Sequence, residues 1–278
     1  MMATRNAPVS VVIPCFRCVN TIHRAIDSIV NQTQIPAEVI LVDDASGDDT
    51  LSVLREIARQ NPSLVKVLTL AENGGAASAR NAGWQEASQT YIAFLDADDA
   101  WCPFKIEIQL QWMLDHSEFG LSGHEHLVLD KDSKVHEQQT SIHNLQSLNY
   151  KQVSKMRSLL SNPFSTRTVM LKRSLSFRFK EGKRYIEDYQ LWLEIILADI
   201  PVAFIACPLA ATFKDDYGSG GLSAHLWKME KGELDTYWKI YKDKQIGLFV
   251  VLLLCTYSLL KYLRRVLIVF MNRTNVNL

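Results

Sequence analysis

The chain has 278 residues, a length typical of one large or two small domains, and 47% of them are hydrophobic. The 30 basic residues balance the 30 acidic residues, so no overall charge favours nucleic acid as a partner. The five cysteines are scattered and odd in number, which is typical of reduced thiols in the cytosol rather than of a disulfide framework. Residues 1–7 lack the apolar segment of a secretory signal peptide.

Short apolar segments alternate with amphipathic segments through the first hundred residues. Buried strands are predicted at residues 9–13, 38–42, 65–70 and 91–95. Apolar residues at helical spacing, and a run of small residues over 76–87, predict a helix between each pair of strands. This alternation predicts a mainly parallel sheet with helices on both faces.

The pattern becomes less regular after Trp101. Helices are predicted at residues 105–116, 150–160 and 185–197. Strands are predicted at residues 126–129, 168–171, 202–205 and 209–213. The glycines of residues 217–223 then predict a mobile loop.

Acidic residues follow two of the predicted strands. Asp44 ends the second strand, and Asp96, Asp98 and Asp99 end the fourth. Ligands of open α/β sheets bind at this edge, and three carboxylates so close together repel one another unless a cation lies between them. A divalent cation completed by substrate phosphates fits such a cluster, although a solvated acidic turn explains an isolated Asp-x-Asp equally well. Asp188 adds a carboxylate in a predicted first helical turn, where it could also merely offset the helix dipole.

Five sequence segments, each weak alone, occur in a specific order. They are residues 8–14, 42–46, 73–81, 94–99 and 187–192. In sequence and order they resemble the signature blocks of the family 2 inverting glycosyltransferases of GT-A fold, over about residues 8–225. The resemblance implies a GT-A domain over residues 7–225, a Rossmann-like mainly parallel sheet with helices on both faces. A C-terminal apolar and basic helical extension would follow over residues 226–278.

The resemblance also implies a nucleotide-sugar donor site. Pro14 and Phe16 would line the nucleobase pocket, Asp44 would accept a hydrogen bond from the base, and Arg80 would lie against the base. Gly75, near a predicted helix start, would belong to the same site. Arg17 stands where many members of the family have asparagine, so details of this pocket are expected to differ.

The reacting centre is implied in the same way. Asp96 would contact the ribose, and Asp98 would bind Mn²⁺ or Mg²⁺ that bridges the two phosphates. Asp188 would be the general base that deprotonates the acceptor hydroxyl. His225 is a further candidate for contact with the metal or the diphosphate, although a lone histidine is more often an ordinary surface residue.

The implied reaction moves a sugar from a UDP-hexose or UDP-N-acetylhexosamine to a hydroxyl of a glycan or polyprenyl-diphosphate-linked acceptor. Inversion would give a β-linkage during assembly of a cell-surface polysaccharide. Two other classes stay open. A phosphotransferase of the haloacid dehalogenase type also has Asp-x-Asp, but after its first strand. A non-catalytic, membrane-associated scaffold of the same fold would not need the acidic residues.

The C-terminal segment has the character of a membrane-surface helix. Residues 246–260 carry no charge, but as a helix they span about 22 Å, less than the ~30 Å hydrocarbon core of a bilayer. Lys261, Arg264 and Arg265 follow on one helical face, where they would meet anionic headgroups. We expect residues 246–270 to contact the cytoplasmic face of a bacterial inner membrane, peripherally or monotopically. A buried core helix, or a helix of a homodimer, is the alternative.

Overall fold

The computed structural model describes residues 6–130, 133, 148–213 and 225–275, with side chains as far as residue 269. The described strands are β1 (Ala7–Cys15), β2 (Pro36–Asp43), β3 (Val65–Thr69), β4 (Tyr91–Phe94), β5 (Ala100–Trp101), β6 (Leu121–Val128), β7 (Tyr150–Gln152), β8 (Met170–Lys172) and β9 (Val202–Thr212). The described helices are α1 (Ile22–Val30), α2 (Thr50–Gln60), α3 (Gly75–Glu86), α4 (Lys105–Asp115), α5 (Lys155–Leu160), α6 (Glu187–Leu197), α7 (Leu226–Lys242) and α8 (Leu248–Asn275), with a 3-10 helix at Thr166–Thr168. The predicted glycine loop at residues 217–223 lies outside the described residues.

The described strands form one mixed sheet in the order β3-β2-β1-β4-β8-β6-β9-β5, with β7 paired to β9. Strand β1 is parallel to β2 and to β4, and β2 is parallel to β3. The predicted parallel half of the sheet is therefore confirmed. Strand β8 runs antiparallel to β4 and β6, whereas β6 and β9 are parallel.

Helices cover both faces of this sheet, as predicted. Val11 and Ile13 of β1 face one apolar cluster, and Val12 faces the other, because successive strand residues point to opposite faces. The first cluster includes residues of α1, α2 and α4, and the second includes residues of α3 and α6. A Cβ atom at Gly83 of α3 would lie 2.4 Å from Cγ1 of Val12, so this glycine lets α3 pack directly on β1.

Several predicted element boundaries are wrong in the second half of the sheet. The strand predicted at residues 126–129 begins earlier, as β6 at Leu121. The predicted helix over residues 150–160 begins as β7, which pairs antiparallel with β9. Helix α5 starts only after Ser154, whose Oγ accepts a hydrogen bond from the amide of Arg157 at 3.2 Å. The two strands predicted at residues 202–205 and 209–213 are one strand, and its pairing with β6 shifts register at His124, Glu125 and His126.

Helix α8 is attached to α7 by charged as well as apolar contacts. Lys261 Nζ lies 2.7 Å from Oε1 of Glu233, and Arg265 Nη2 lies 2.9 Å from Oε2 of Glu230. Glu230 is fully buried, so Arg265 compensates a charge that would otherwise be costly. The prediction that Lys261 and Arg265 face lipid headgroups is therefore wrong, whereas Arg264 is exposed.

The opposite side of α8 exposes apolar side chains. Its most exposed ones are Phe249 (74%), Leu253 (55%), Leu260 (61%), Leu263 (55%) and Leu267 (62%). No helix within the described ranges combines the length and the apolar character that crossing a bilayer requires.

Candidate active site

The carboxylate of Asp44 organises the loop that leads into α3. It is 2% exposed and accepts hydrogen bonds from the amides of Gly74 and Gly75, both at 2.8 Å. Asn73 Nδ2 adds a third donor at 2.9 Å. Gly75 has a φ of +81°, a conformation that favours glycine. Hydrogen bonds thus join two of the five sequence segments, around residues 44 and 74.

Pro14 and Phe16 lie at the same edge as Asp44. Pro14 pairs with Val42 near the ends of the parallel strands β1 and β2, and Phe16 follows β1 with its side chain 46% exposed. The guanidinium carbon of Arg17 lies 5.2 Å from the centroid of the Phe16 ring. An exposed aromatic ring with a cation beside it suits stacking against a flat nucleobase.

Arg80 joins the acidic end of β4 to the start of α6. Its Nη2 donates to Oδ1 of Asp96 at 2.8 Å, and its Nη1 donates to Oε1 of Glu187 at 2.9 Å. Burial alone would lower the pKa of Arg80, but the attraction of Asp96 and Glu187 raises it above its ordinary value. The guanidinium carbon of Arg80 also lies 5.3 Å from the centroid of the Phe179 ring. Contact of Arg80 with a nucleobase stays a prediction.

The three aspartates after β4 differ in their surroundings. Asp99 is 3% exposed, and its Oδ2 lies 3.0 Å from Nε of Arg167. Burial, together with the charges of Asp96 and Asp98, raises the pKa of Asp99 to about 7 against the pull of Arg167. Asp96 and Asp98 are only partly buried. Asp99 therefore anchors the loop, whereas Asp96 and Asp98 keep part of their surface accessible.

The backbone before Asp188 is strained. Ile186 has a φ of 62°, which is unfavourable for a β-branched residue and is typical of functional sites. Gly232 of α7 makes room for this turn, since a Cβ atom there would lie 2.9 Å from the carbonyl oxygen of Tyr185. The turn sets the direction in which α6 begins, and so the position of Asp188.

Both carboxylate oxygens of Asp188 accept hydrogen bonds. Oδ1 accepts from the amide of Tyr189 at 2.7 Å, and Oδ2 accepts from Oγ1 of Thr166 at 3.2 Å. Asn162 Nδ2 lies 3.5 Å from the same Oδ2. Burial raises the pKa of Asp188 above the ordinary value of aspartate, opposed by attraction to Arg80. A carboxylate with a raised pKa is a stronger base than an exposed one.

Sequence reasoning missed the segment that precedes β8. Thr166 bonds Asp188, and the next residue, Arg167, bonds Asp99, so the 3-10 helix braces both acidic elements. Asn162 belongs to the same segment. In the sequence, this segment is visible only as a polar run before a predicted strand. Such a run does not indicate that its residues contact Asp188 and Asp99.

His225 lies beside the start of α6. It immediately precedes α7, and its ring centroid is 6.3 Å from that of Tyr185. The structure thus brings His225 to the segment that leads into Glu187 and Asp188. Its contact with a metal or diphosphate stays a prediction.

The family model for "Glycosyl transferase family 2" matches residues 10–176, more than half of the chain. The chain belongs to this family. The phosphotransferase alternative is therefore discarded. As a family 2 protein, it is 30% identical over 84% of its length to the Escherichia coli protein named "UDP-Glc:alpha-D-GlcNAc-diphosphoundecaprenol beta-1,3-glucosyltransferase WfgD", 85% of which is covered.

Two other comparisons agree, one in sequence and one in fold. The chain is 28% identical to "Putative teichuronic acid biosynthesis glycosyltransferase TuaG" of Bacillus subtilis (strain 168), over 84% of this chain and 87% of that protein. A solved structure of a mannosyltransferase from Pyrobaculum calidifontis, in complex with GDP-Man and Mn2+, superposes with a TM-score of 0.62 at 20% identity. That match covers 86% of this chain and 65% of the other, and it shows that the fold is GT-A.

The family 2 site has ligands that suit a divalent cation. Within the described residues, no group of three His, Cys, Asp or Glu side chains is arranged to hold a metal unaided. Mg²⁺ and similar ions, however, commonly bind one or two carboxylates and complete their coordination with substrate phosphates. The carboxylate of Asp98, partly buried just after a strand end, fits that requirement.

Proposed function

We propose that this family 2 glycosyltransferase moves a hexose or N-acetylhexosamine from a UDP-sugar to a hydroxyl of a lipid-linked glycan, with inversion. The observation that carries the proposal is the Arg80 bridge, with bonds of 2.8 Å to Asp96 and 2.9 Å to Glu187. A single guanidinium group thus contacts both Asp96, the candidate donor-binding acid, and the start of the helix that carries Asp188. Relatives that act on sugars, nucleotides and lipid diphosphates support this choice.

On this proposal, the donor lies along the carboxyl ends of β1, β2 and β4. Phe16 stacks on the base, and Pro14 lines the base pocket. Asp44 uses its remaining lone pairs to accept from the base, because Gly74 and Gly75 already orient its oxygens. Asp96 accepts from the ribose while Arg80 fixes its rotamer.

At the reacting centre, Asp188 removes the proton from the acceptor hydroxyl as that oxygen attacks the anomeric carbon. Asp98 and the donor phosphates would hold Mn²⁺ or Mg²⁺, which when bound neutralises the charge that develops on the leaving diphosphate. Thr166 keeps the Asp188 carboxylate in place through Oδ2. Attack opposite the leaving group inverts the anomeric centre, so an α-linked UDP-sugar gives a β-glycoside.

A donor screen tests the proposal directly. We expect the purified full-length chain with Mn²⁺ to release UDP from one UDP-hexose or UDP-N-acetylhexosamine in the presence of an N-acetylglucosamine α-diphosphate with a decyl chain. The glycosidic coupling constant of the product, measured by NMR, should indicate a β-linkage. An α-linked product would contradict inversion, and absence of UDP release with all UDP-sugars would contradict the donor class.

We further propose that the exposed apolar side of α8 contacts the cytoplasmic surface of a bacterial membrane, where a lipid-linked acceptor would be presented. The exposed side chains of Phe249, Leu260 and Leu267 support an interfacial position, and so does the exposed cation of Arg264. The extension over residues 226–278 would then hold the catalytic domain against the bilayer. The alternative is that a second copy of the chain covers this side of the helix.

Acidic substitutions on α8 distinguish these possibilities. The double variant Phe249→Glu and Leu260→Glu should no longer float with vesicles that contain anionic lipid, because two buried apolar contacts become charged. The Tm should change little, since both side chains are exposed in the protein. Arg264→Met is expected to weaken vesicle binding modestly and only at low salt. If both acidic substitutions instead convert a dimer to a monomer and leave flotation unchanged, the membrane assignment is wrong.

A further inference from the structure

We propose that a cavity between β6, β9 and the segment before the 3-10 helix binds the terminal pyranose of the acceptor, an inference that rests on the proposed function. The cavity has a volume of about 500 Å³, within the usual range of small-molecule sites. The residues that line it and carry the argument are His124, Glu125, Asn162, Phe164, Ser165 and Phe204.

Two residues of the cavity wall connect the cavity to Asp188. Asn162, in its wall, has its Nδ2 3.5 Å from Oδ2 of Asp188. Ser165, also in the wall, immediately precedes Thr166, which bonds the same oxygen. The proton-accepting oxygen of the proposed base is therefore directed to the cavity wall. A sugar in the cavity would bring a hydroxyl close to it.

The opposite side of Asp188 belongs to the donor site. Glu187, the preceding residue, is bound to Arg80, which in turn holds Asp96. Asp188 thus lies between the cavity and the acidic end of β4. In-line displacement requires the nucleophile and the leaving group on opposite sides of the anomeric carbon. A donor beside Asp96 and an acceptor in the cavity satisfy this requirement.

The chemistry of the walls suits a sugar. The ring of Phe204 is partly exposed, so pyranose C–H groups can pack against it. It stacks on the buried ring of Phe164, with centroids 6.4 Å apart and planes at 19°. Glu125 presents an exposed carboxylate that can accept from two hydroxyls. A Cβ atom at Gly123 would lie 2.3 Å from Cδ1 of Phe164, so the glycine allows that ring to lie directly on β6.

His124 lines this cavity without adding a positive charge. Its Nδ1 lies 2.7 Å from the carbonyl oxygen of Glu125, and its buried Nε2 has no hydrogen-bond partner in the part of the chain that the structure describes. Burial holds the pKa of His124 well below the ordinary histidine value, so the ring is neutral. With Nδ1 as the donor to Glu125, Nε2 is an unprotonated acceptor that is buried behind the cavity surface.

The same walls do not suit the diphosphate of a lipid-linked acceptor. Of the described residues, no Lys or Arg lines the cavity, whereas Glu125 contributes a negative charge. A diphosphate there would be repelled without a compensating cation. The cavity is therefore selective for the sugar, and the diphosphate and lipid of the acceptor extend outside it.

Glu125→Gln tests the assignment, with the N-acetylglucosamine α-diphosphate carrying a decyl chain as probe. We expect the KM for this acceptor to rise at least about tenfold, because a hydrogen bond to a charged group is weakened. The dissociation constant of UDP with Mn²⁺ should stay within about twofold of the wild-type value, because the donor binds elsewhere. Glu118→Gln, which neutralises an exposed glutamate outside the cavity, is the matched control.

Decyl diphosphate without a sugar separates sugar recognition from diphosphate recognition. As a competitive inhibitor, it should bind the wild type and Glu125→Gln equally. Improved binding to Glu125→Gln, or an unchanged acceptor KM, would overturn the assignment. Phe204→Leu, which keeps an apolar wall but removes a ring, should raise the acceptor KM even if Glu125→Gln folds poorly. Wild-type protein that transfers no sugar would instead contradict the proposed function itself.

Discussion

Asp188→Asn is expected to lower the rate of sugar transfer at least ~10²-fold, within the usual range for loss of a general base. Asparagine keeps the size of the side chain, and its Oδ1 can still accept from the amide of Tyr189 at the start of α6. It cannot take a proton from the acceptor hydroxyl. The measurements are kcat with a saturating acceptor and the dissociation constant of UDP by calorimetry, and UDP affinity should stay nearly unchanged.

The matched control for this variant is Asp199→Asn, just past the other end of α6. Asp199 is 81% exposed in its side chain and pairs only with the exposed Lys155 among its described partners. Its φ of 61° is a conformation that asparagine tolerates, so the substitution should leave the fold and the rate unchanged. A parallel loss of UDP affinity in Asp188→Asn would assign Asp188 to donor binding instead.

The pH profile provides a second readout for the same residue. Burial raises the pKa of Asp188, so the base becomes protonated at a higher pH than an exposed aspartate would. As the solution is acidified, kcat should therefore begin to fall at a higher pH than it would with an exposed aspartate as the base. Thr166→Val removes a hydrogen bond that stabilises the charged form, so it should move this acid limb to still higher pH. An acid limb that is identical in wild type and Thr166→Val would argue against Asp188 as the titrating base.

The acidic edge of the parallel strands could be predicted because its signals are local. A buried strand followed at once by carboxylates is visible in a few consecutive residues, and the parallel arrangement brings these strand ends together. The bonds from Gly74 and Gly75 to Asp44 agree with that expectation. The family resemblance implies roles for these acidic residues. Their spacing alone does not distinguish a ligand site from a solvated acidic turn.

The contacts that hold Asp188 and Asp99 could not be predicted in this way, because they join distant residues. Thr166 and Asp188 are 22 residues apart, and Arg167 and Asp99 are 68 apart. No periodicity in either segment indicates its partner. The error at residues 150–152 has the same origin, since pairing with β9 overrides the local helical pattern.

The error in the tail has a different cause. A stripe of basic residues on an apolar helix is the same whether it faces lipid headgroups or acids of another helix. Glu230 and Glu233 are three residues apart on α7, and Lys261 and Arg265 are four apart on α8, so both pairs present one face. That complementary spacing is visible in the sequence. It favours ion pairs between α7 and α8 for Lys261 and Arg265, two of the three cations.

Asp98→Ala is expected to abolish transfer, the largest effect on activity anticipated for this chain. Asp98 is the partly exposed carboxylate at the end of β4 that would hold the metal together with the donor phosphates. EDTA should abolish the transfer activity of the wild type, and added Mn²⁺ or Mg²⁺ should restore that activity. Asp115→Asn, which removes an exposed carboxylate at the end of α4, is the control for loss of charge alone.

Stability measurements distinguish loss of a metal ligand from loss of the fold. Arg24 Nη2 donates to the main-chain oxygen of Asp98 at 2.6 Å, a bond that the alanine variant retains. Removing the Asp98 carboxylate also relieves repulsion on buried Asp99, so the Tm without metal should stay the same or rise. In the wild type, Mn²⁺ with UDP should raise the Tm, because a ligand that binds only the folded state stabilises it, and Asp98→Ala should lose this increase. Full activity in EDTA, or an unchanged Mn²⁺-dependent Tm increase in Asp98→Ala, would exclude Asp98 as the metal ligand.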